Sequence, residues 1–207
     1  MSLTERFISF EGIEGTGKTT QVRLLSEYLR GKGYDVLTTE EPGGTVIGRK
    51  IRDILLDPEN SMEPLTELLL YYASRAQLIR EVIYPALLQQ KVVITDRFTD
   101  STIAYQAYAR GVDMEVIDEL NRIVTREIRP ALTILLDIDV EEGLRRNRMV
   151  DKRDRFEMET LEFHRRVREG YLRLAEQEPQ RIRLVDASRG IEEVHKEIVR
   201  IIEGSWL

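Results

Sequence analysis

The sequence contains no cysteine and only two histidines, His164 and His195. The first absence excludes a disulfide framework, a thiol nucleophile and a thiolate metal site; the second leaves too few imidazoles for a histidine-built metal centre. Long apolar runs are missing too. Nothing approaches the ~20 residues of a membrane span, and the opening MSLTERFISFEG lacks the charged and then extended apolar regions of a secretion signal, so a cytoplasmic protein without a membrane partner is expected. Positive charge is not in excess: 31 lysines and arginines face 37 aspartates and glutamates, a formal charge of −6. That balance argues against wholesale neutralisation of a nucleic-acid backbone, and no nucleic-acid partner is expected. Any anion must be met locally.

What is present suits one large folded domain: 207 residues, 42% hydrophobic and 33% charged. Short runs rich in Ile, Val and Leu alternate with longer amphipathic segments, the pattern of a mostly parallel sheet with helices on both faces. Five strands of an α/β fold are predicted, over residues 7–10, 36–38, 92–95, 132–136 and 182–185. Ligands of such sheets collect beyond the carboxyl ends of the strands. Gly31 and Gly33 are placed to end the first helix. Pro64 should open a later helix, and Pro85 should kink or end it near Tyr84. The stretch RRNRMVDKRDR, residues 145–155, concentrates basic side chains in an acidic chain. It also has a plainer reading as a solvated helix face with Glu141, Glu142, Asp151 and Asp154 nearby.

The segment GIEGTGKT, residues 12–19, follows the apolar strand FISF and opens a helix with Val22, Leu25 and Leu29 at helical spacing. Glycines let successive backbone N–H groups turn inward, and the helix adds its positive end, so the loop forms a cradle for phosphate oxygens. Gly12, Ile13, Glu14, Gly15, Thr16, Gly17, Lys18, Thr19 and Thr20 are the expected ATP-binding set. Lys18 can reach the β- and γ-phosphates and the Thr19 hydroxyl can join a magnesium shell. Asp96, directly after VVIT, is the natural partner of a magnesium-bound water, with the cation of Arg97 beside it; Asp137 ends ILLD comparably. Either aspartate could simply begin a turn. The loop alone does not separate a kinase from a switch or a motor.

The strings FEGIEGTGKTTQ at 10–21, EPGGT at 41–45, LLLYYASRAQ at 68–77, DRFTDSTIAYQ at 96–106 and GYLRLA at 170–175 resemble those of thymidylate kinases, and they occur in family order from the first strand to the last helix. The resemblance implies a P-loop NTPase-type nucleoside monophosphate kinase that spans residues 1–207 as a single domain with a short basic lid at about 145–156. It further implies ATP and dTMP as small-molecule substrates, Mg2+ as cofactor and a homodimer. On the acceptor side Tyr71 corresponds to the family's stacking aromatic and Arg75 to the arginine that reaches a base carbonyl, four residues apart on one helix face. Gln106 and Thr102 correspond to residues at the polar edge of thymine, with Ser101 adjoining. Tyr105 corresponds to the ring that crowds the sugar 2′ position, and Glu14 to the carboxylate directed at the 3′-hydroxyl. Arg52 and Arg97 correspond to arginines on the acceptor phosphate, and Glu41 falls in the same substrate-binding set. The implied catalytic group is Lys18, Arg97 and Asp96 with the lid arginines Arg148 and Arg153.

Several of these residues also have an ordinary structural reading: Tyr71 as core, Arg52 as a solvated helix residue, Gln106 and Thr102 as surface groups, and Glu14 as a charge that offsets Lys18. Two departures from the family pattern stand out. Glu40 occupies a position where relatives often carry arginine, and Gly15 occupies one where some relatives carry a loop arginine that others supply from the lid. A further family arginine falls near Val150, where Arg153 could stand in. A kinase for another nucleotide or for a nucleoside, and a nucleotide-dependent switch, are the alternatives; no guanine-reading Asn/Thr-Lys-x-Asp string favours the switch.

Overall fold

The computed structural model describes residues 3–148 and 154–205. A 3₁₀ turn at Leu3–Arg6 leads into β1 (Phe7–Glu11), followed by α1 (Lys18–Gly31), β2 (Val36–Glu40), α2 (Val46–Leu56) and α3 (Pro64–Leu78). A π-helical segment, Ile79–Ile83, then joins α3 to α4 (Tyr84–Leu88) ahead of β3 (Val92–Asp96). Next come α5 (Thr99–Thr102), a second π-helical segment at Ile103–Ala109, α6 (Met114–Thr125), β4 (Leu132–Asp137) and α7 (Val140–Arg148). The chain closes with α8 (Leu161–Gln177), β5 (Ile182–Asp186) and α9 (Ile191–Ser205). All four strand pairings are parallel, in the order β2-β3-β1-β4-β5. Among the described residues no helix is long and apolar enough to cross a membrane.

Side chains alternate across the strands, so each strand serves two layers. Ile8 and Ile94 join Val22, Leu25 and Leu29 of α1 and Val194, Ile198 and Ile202 of α9, all buried. Their neighbours Phe7 and Val93 pack instead with Leu78, Ile83, Leu87 and Phe98. With both faces covered, β1 has no exposed residue, which is why its sequence reads as a continuous apolar run.

Two expectations need correction. Every predicted strand ends one or two residues early: Glu11, Asp96, Asp137 and Asp186 complete β1, β3, β4 and β5, and Thr39 and Glu40 complete β2. A parallel ladder bonds through the backbone, so polar residues can extend it to the carboxyl edge. Pro85 does not end the helical run, which continues to Leu88. The wider π turn at Ile79–Ile83 precedes the proline and accommodates the N–H it lacks and the bulk of its ring. Pro64 does open α3, at its first position.

Candidate active site

One cleft of about 1210 Å³ runs across the carboxyl edge of the sheet. That exceeds the few hundred to ~1,000 Å³ usual for a single small-molecule site. At one end lie Gly15 to Gln21 and the segment after β5; at the other lie Arg52, Tyr71, Ser101, Thr102, Tyr105, Gln106 and Phe156; Asp96 and Arg97 line it as well. Gly12, Ile13 and Arg75 are not on its wall: Ile13 is core, and Arg75 is 1% exposed behind Thr102. Arg148 ends α7, and Arg153 lies outside the described residues.

The phosphate-loop end follows from its glycines. Gly12, Gly15 and Gly17 hold φ values of +139°, +74° and +85°, which side chains rarely adopt. A methyl group on Gly15 would overlap the carbonyl oxygen of Gly143, which explains why this loop carries no arginine there. Helix α1 has no side-chain cap, whereas α2, α6 and α8 are capped by Thr45, Asp113 and Thr160. Its first N–H groups therefore stay free for an anion. The Lys18 ammonium donates to Gly12 O (3.0 Å) and Ile13 O (2.8 Å), spanning the mouth of the loop. Burial, helped by Arg97, draws its pKa down to about 8 against the opposing pull of Asp96, Glu14 and Glu11. Thr19 Oγ1 donates to Asp96 Oδ2 at 2.8 Å, so the hydroxyl and carboxylate expected to serve a metal stand together. Asp137 does not join them: Arg168 holds it bidentately at 2.7 and 2.8 Å.

Arg97 sits between the two ends with φ +72°. Its guanidinium donates to Gly12 O, Ser101 Oγ and Tyr171 OH through Nη1, and to Glu14 Oε1 and Tyr105 OH through Nη2, all within 3.0–3.2 Å. Burial alone would lower its pKa, but Tyr105, Tyr171, Glu14 and Asp96 hold it well above the ordinary value. Glu14 also accepts from Tyr105 OH at 2.6 Å, and its other oxygen lies 3.4 Å from His164 Nδ1. Burial would raise this carboxyl, yet His164, Arg97, Lys18 and Tyr105 together keep it well below the usual carboxylate range. Beneath them Glu11, fully buried, accepts from Phe98 N, Ser101 Oγ and Tyr171 OH. Burial and the charge of Asp100 push it up to about 7 despite those bonds.

At the far end Tyr71 tilts against Phe156 (6.5 Å between centroids), which meets Tyr105 edge-on at 5.6 Å. The Arg75 guanidinium donates through Nε to Glu41 Oε2 (2.7 Å) and through Nη2 to Phe98 O and Thr102 Oγ1, leaving Nη1 without a partner among the described residues. Arg52, half-buried, donates to Pro42 O and lies 3.6 Å from Glu40, the residue that stands at the usual arginine position. Gln106 is buried and donates to Glu67 at 2.8 Å. Sequence reasoning missed His164, Glu67, Arg155 and Phe156. Glu67 had a signal, since residues 67, 71 and 75 share one face of α3. His164 had none, because it sits among the buried apolar residues of α8.

A parallel α/β sheet whose first strand runs through a glycine-rich loop into an uncapped helix defines a P-loop nucleotide-binding protein. Within that class a thymidylate kinase family model matches residues 10–198, and by that match the chain belongs to the thymidylate kinase family. It is 52% identical to the thymidylate kinase of Caldanaerobacter subterraneus subsp. tengcongensis over 96% of this chain and 95% of that one. It is 54% identical to that of Pelobacter propionicus, over 93% and 91% of the two chains. The crystal structure of thymidylate kinase from Ehrlichia chaffeensis superimposes with a TM-score of 0.79 at 38% identity, covering 95% of this chain and 97% of the other.

Proposed function

We propose that the protein transfers the γ-phosphoryl group of ATP to the phosphate of dTMP, giving dTDP and ADP. The observation that carries this reading is the single cleft with a phosphate loop at one end, an aromatic and amide-lined pocket at the other, and Arg97 between them. The loop amides and Lys18 take the donor phosphates, Lys18 exchanging carbonyl partners for phosphate oxygens. Tyr71 stacks on the base with Thr102, Ser101 and Gln106 toward its edge, and Arg75, buried behind Thr102, has only Nη1 left to reach a base carbonyl. The Tyr105 ring fills the space a ribose 2′-hydroxyl needs, and Glu14 faces the 3′-hydroxyl. Arg52 and Arg97 receive the acceptor phosphate, and Glu41 holds Arg75 in place. The acceptor oxygen is already ionised, so these groups act by placement and charge compensation and no covalent enzyme intermediate forms.

The hydroxyl and carboxylate oxygens of Thr19 and Asp96 fit a hard cation such as magnesium, which keeps several of its own waters. When bound, magnesium neutralises phosphate charge. By resemblance to the family, the basic segment at about 145–156 is assigned the role of a lid, with Arg148 or Arg153 as its phosphate-facing arginine and exclusion of water as its effect. Arg155 and Phe156 at its end belong to the packed wall of the site. The whole chain acts as one cytoplasmic kinase domain and pairs as a homodimer, a reading supported by exposed apolar side chains on adjoining helices: Val46, Ile47 and Ile54 of α2 with Leu65 and Leu69 of α3. Incubation with ATP and magnesium and a panel of dTMP, dUMP, dCMP and thymidine tests the assignment. Preferential formation of dTDP supports it, and selective use of thymidine overturns it.

A further inference from the structure

Glu67 is 1% exposed, yet three polar side chains converge on its carboxylate. Arg155 Nη1 reaches Oε2 at 2.6 Å, Arg110 approaches both oxygens at 3.3 Å, and Gln106 Nε2 donates to Oε1 at 2.8 Å. Each arginine is anchored elsewhere as well: Arg155 donates through Nε to Leu55 O, and Arg110 pairs with Glu159. A carboxylate held by two guanidinium groups only accepts hydrogen bonds. Its neighbour must therefore present an N–H, which decides the orientation of the Gln106 amide by chemistry. The flipped rotamer would set two acceptor oxygens against each other where a 2.8 Å hydrogen bond now stands.

With Nε2 committed to Glu67, the opposite pole of the amide, Oε1, is left for the cleft that Gln106 lines. We propose that Glu67 is a positioning residue: it locks Gln106 with a hydrogen-bond acceptor toward the acceptor base, so that the site demands a ring N–H donor and admits thymine or uracil but not cytosine. The chemistry of the bases supplies the discrimination. Thymine and uracil carry hydrogen on N3, whereas N3 of cytosine is itself an acceptor and would face Oε1 lone pair to lone pair. A site built to hydrogen-bond one partner rejects an analogue that leaves its buried polar group unpaired. Glu67 touches no substrate, and its effect passes entirely through Gln106.

This inference rests on the proposed acceptor site, and its test separates the two. The kcat/KM values for dTMP, dUMP and dCMP are measured for the wild type, Glu67→Gln, Glu67→Asp, Gln106→Leu and the Glu67→Gln/Gln106→Leu pair. Glutamine at 67 can donate as well as accept, which frees the Gln106 amide to flip. Aspartate keeps a carboxylate for the arginines but draws it one methylene away from Gln106. Both substitutions are expected to lower the dTMP-to-dCMP ratio about tenfold or more, the scale of one buried hydrogen-bonding group left unpaired, while leaving the dTMP-to-dUMP ratio unchanged. A merely structural loss would scale all three substrates together. In the pair, Glu67→Gln should cause no further fall beyond Gln106→Leu. An unchanged dTMP-to-dCMP ratio in either soluble Glu67 variant, or a wild type that uses dCMP as well as dTMP, overturns the inference. A wild type that leaves dTMP unphosphorylated overturns the proposed function instead.

Discussion

Gly15 of the phosphate loop and Gly143 of α7 meet backbone to backbone, with no room for a side chain on either. A methyl group on Gly143 would lie 2.7 Å from Glu14 O. Helix α7 carries the start of the basic segment, so this contact ties the nucleotide cradle to the root of the proposed lid. Gly143→Ala sets a helix-propensity gain of ~1 kcal/mol against crowding of ~1–3 kcal/mol. The expected net is a thermal midpoint lower by about 2–4 °C and ATP binding weakened several-fold. Thermal melts with and without ATP check both, and an unchanged ATP response would contradict the coupling.

Lys18, with its pKa drawn down to about 8, is partly deprotonated in the empty protein at mildly alkaline pH. Triphosphate favours the charged ammonium, so binding raises this pKa and takes up a proton. ATP affinity should therefore fall as pH rises above about 8. Calorimetry at alkaline pH in buffers of different ionisation enthalpy should report net proton uptake, and Lys18→Met should abolish it.

Glu11 ties folding stability to pH with the opposite sign from an ordinary ion-paired carboxylate. Its value rises from 4.5 to about 7, so the folded protein retains a proton that the unfolded chain releases. Its contribution is intact below about 4.5 and is lost as pH climbs toward about 7, at up to ~1.4 kcal/mol per pH unit. Glu11→Gln keeps an acceptor for Phe98 N and removes the titration. Denaturant melts should show this variant gaining on the wild type between pH 5 and 8; a difference independent of pH would refute the assignment.

Arg75 and Glu41 form a buried pair, 1% and 3% exposed, at 2.7 Å. Arg75→Ala leaves Glu41 as an unpaired buried carboxylate and should cost ~3–5 kcal/mol of stability. Adding Glu41→Gln should restore much of that stability without restoring dTMP use. Urea melts alongside KM for dTMP separate the two effects, and full recovery of dTMP use in the double variant would remove Arg75 from the base site.

The phosphate loop is legible because all its parts are contiguous, and Asp96 and Arg97 because they terminate an apolar run. Strand ends are not, since Glu11 and Glu40 belong to the ladder for backbone reasons that side-chain polarity hides. His164 and Glu14 stand 150 residues apart in the chain, and only the packing of α8 beside the loop brings them to 3.4 Å. Arg155 shows the same limit. Within the basic segment nothing distinguishes it from its neighbours, yet it is bound to Glu67 and Leu55 O beneath the cleft wall.

The central claim is that two nucleotides lie in one cleft and exchange a phosphoryl group away from water. Incubation with ATP labelled at the γ-phosphorus, magnesium and dTMP tests it directly. The label should appear in the β-phosphate of dTDP in equal amount to the ADP formed, and Lys18→Ala should lose nearly all of it. Label recovered chiefly as inorganic phosphate, or undiminished transfer by Lys18→Ala, would contradict the claim.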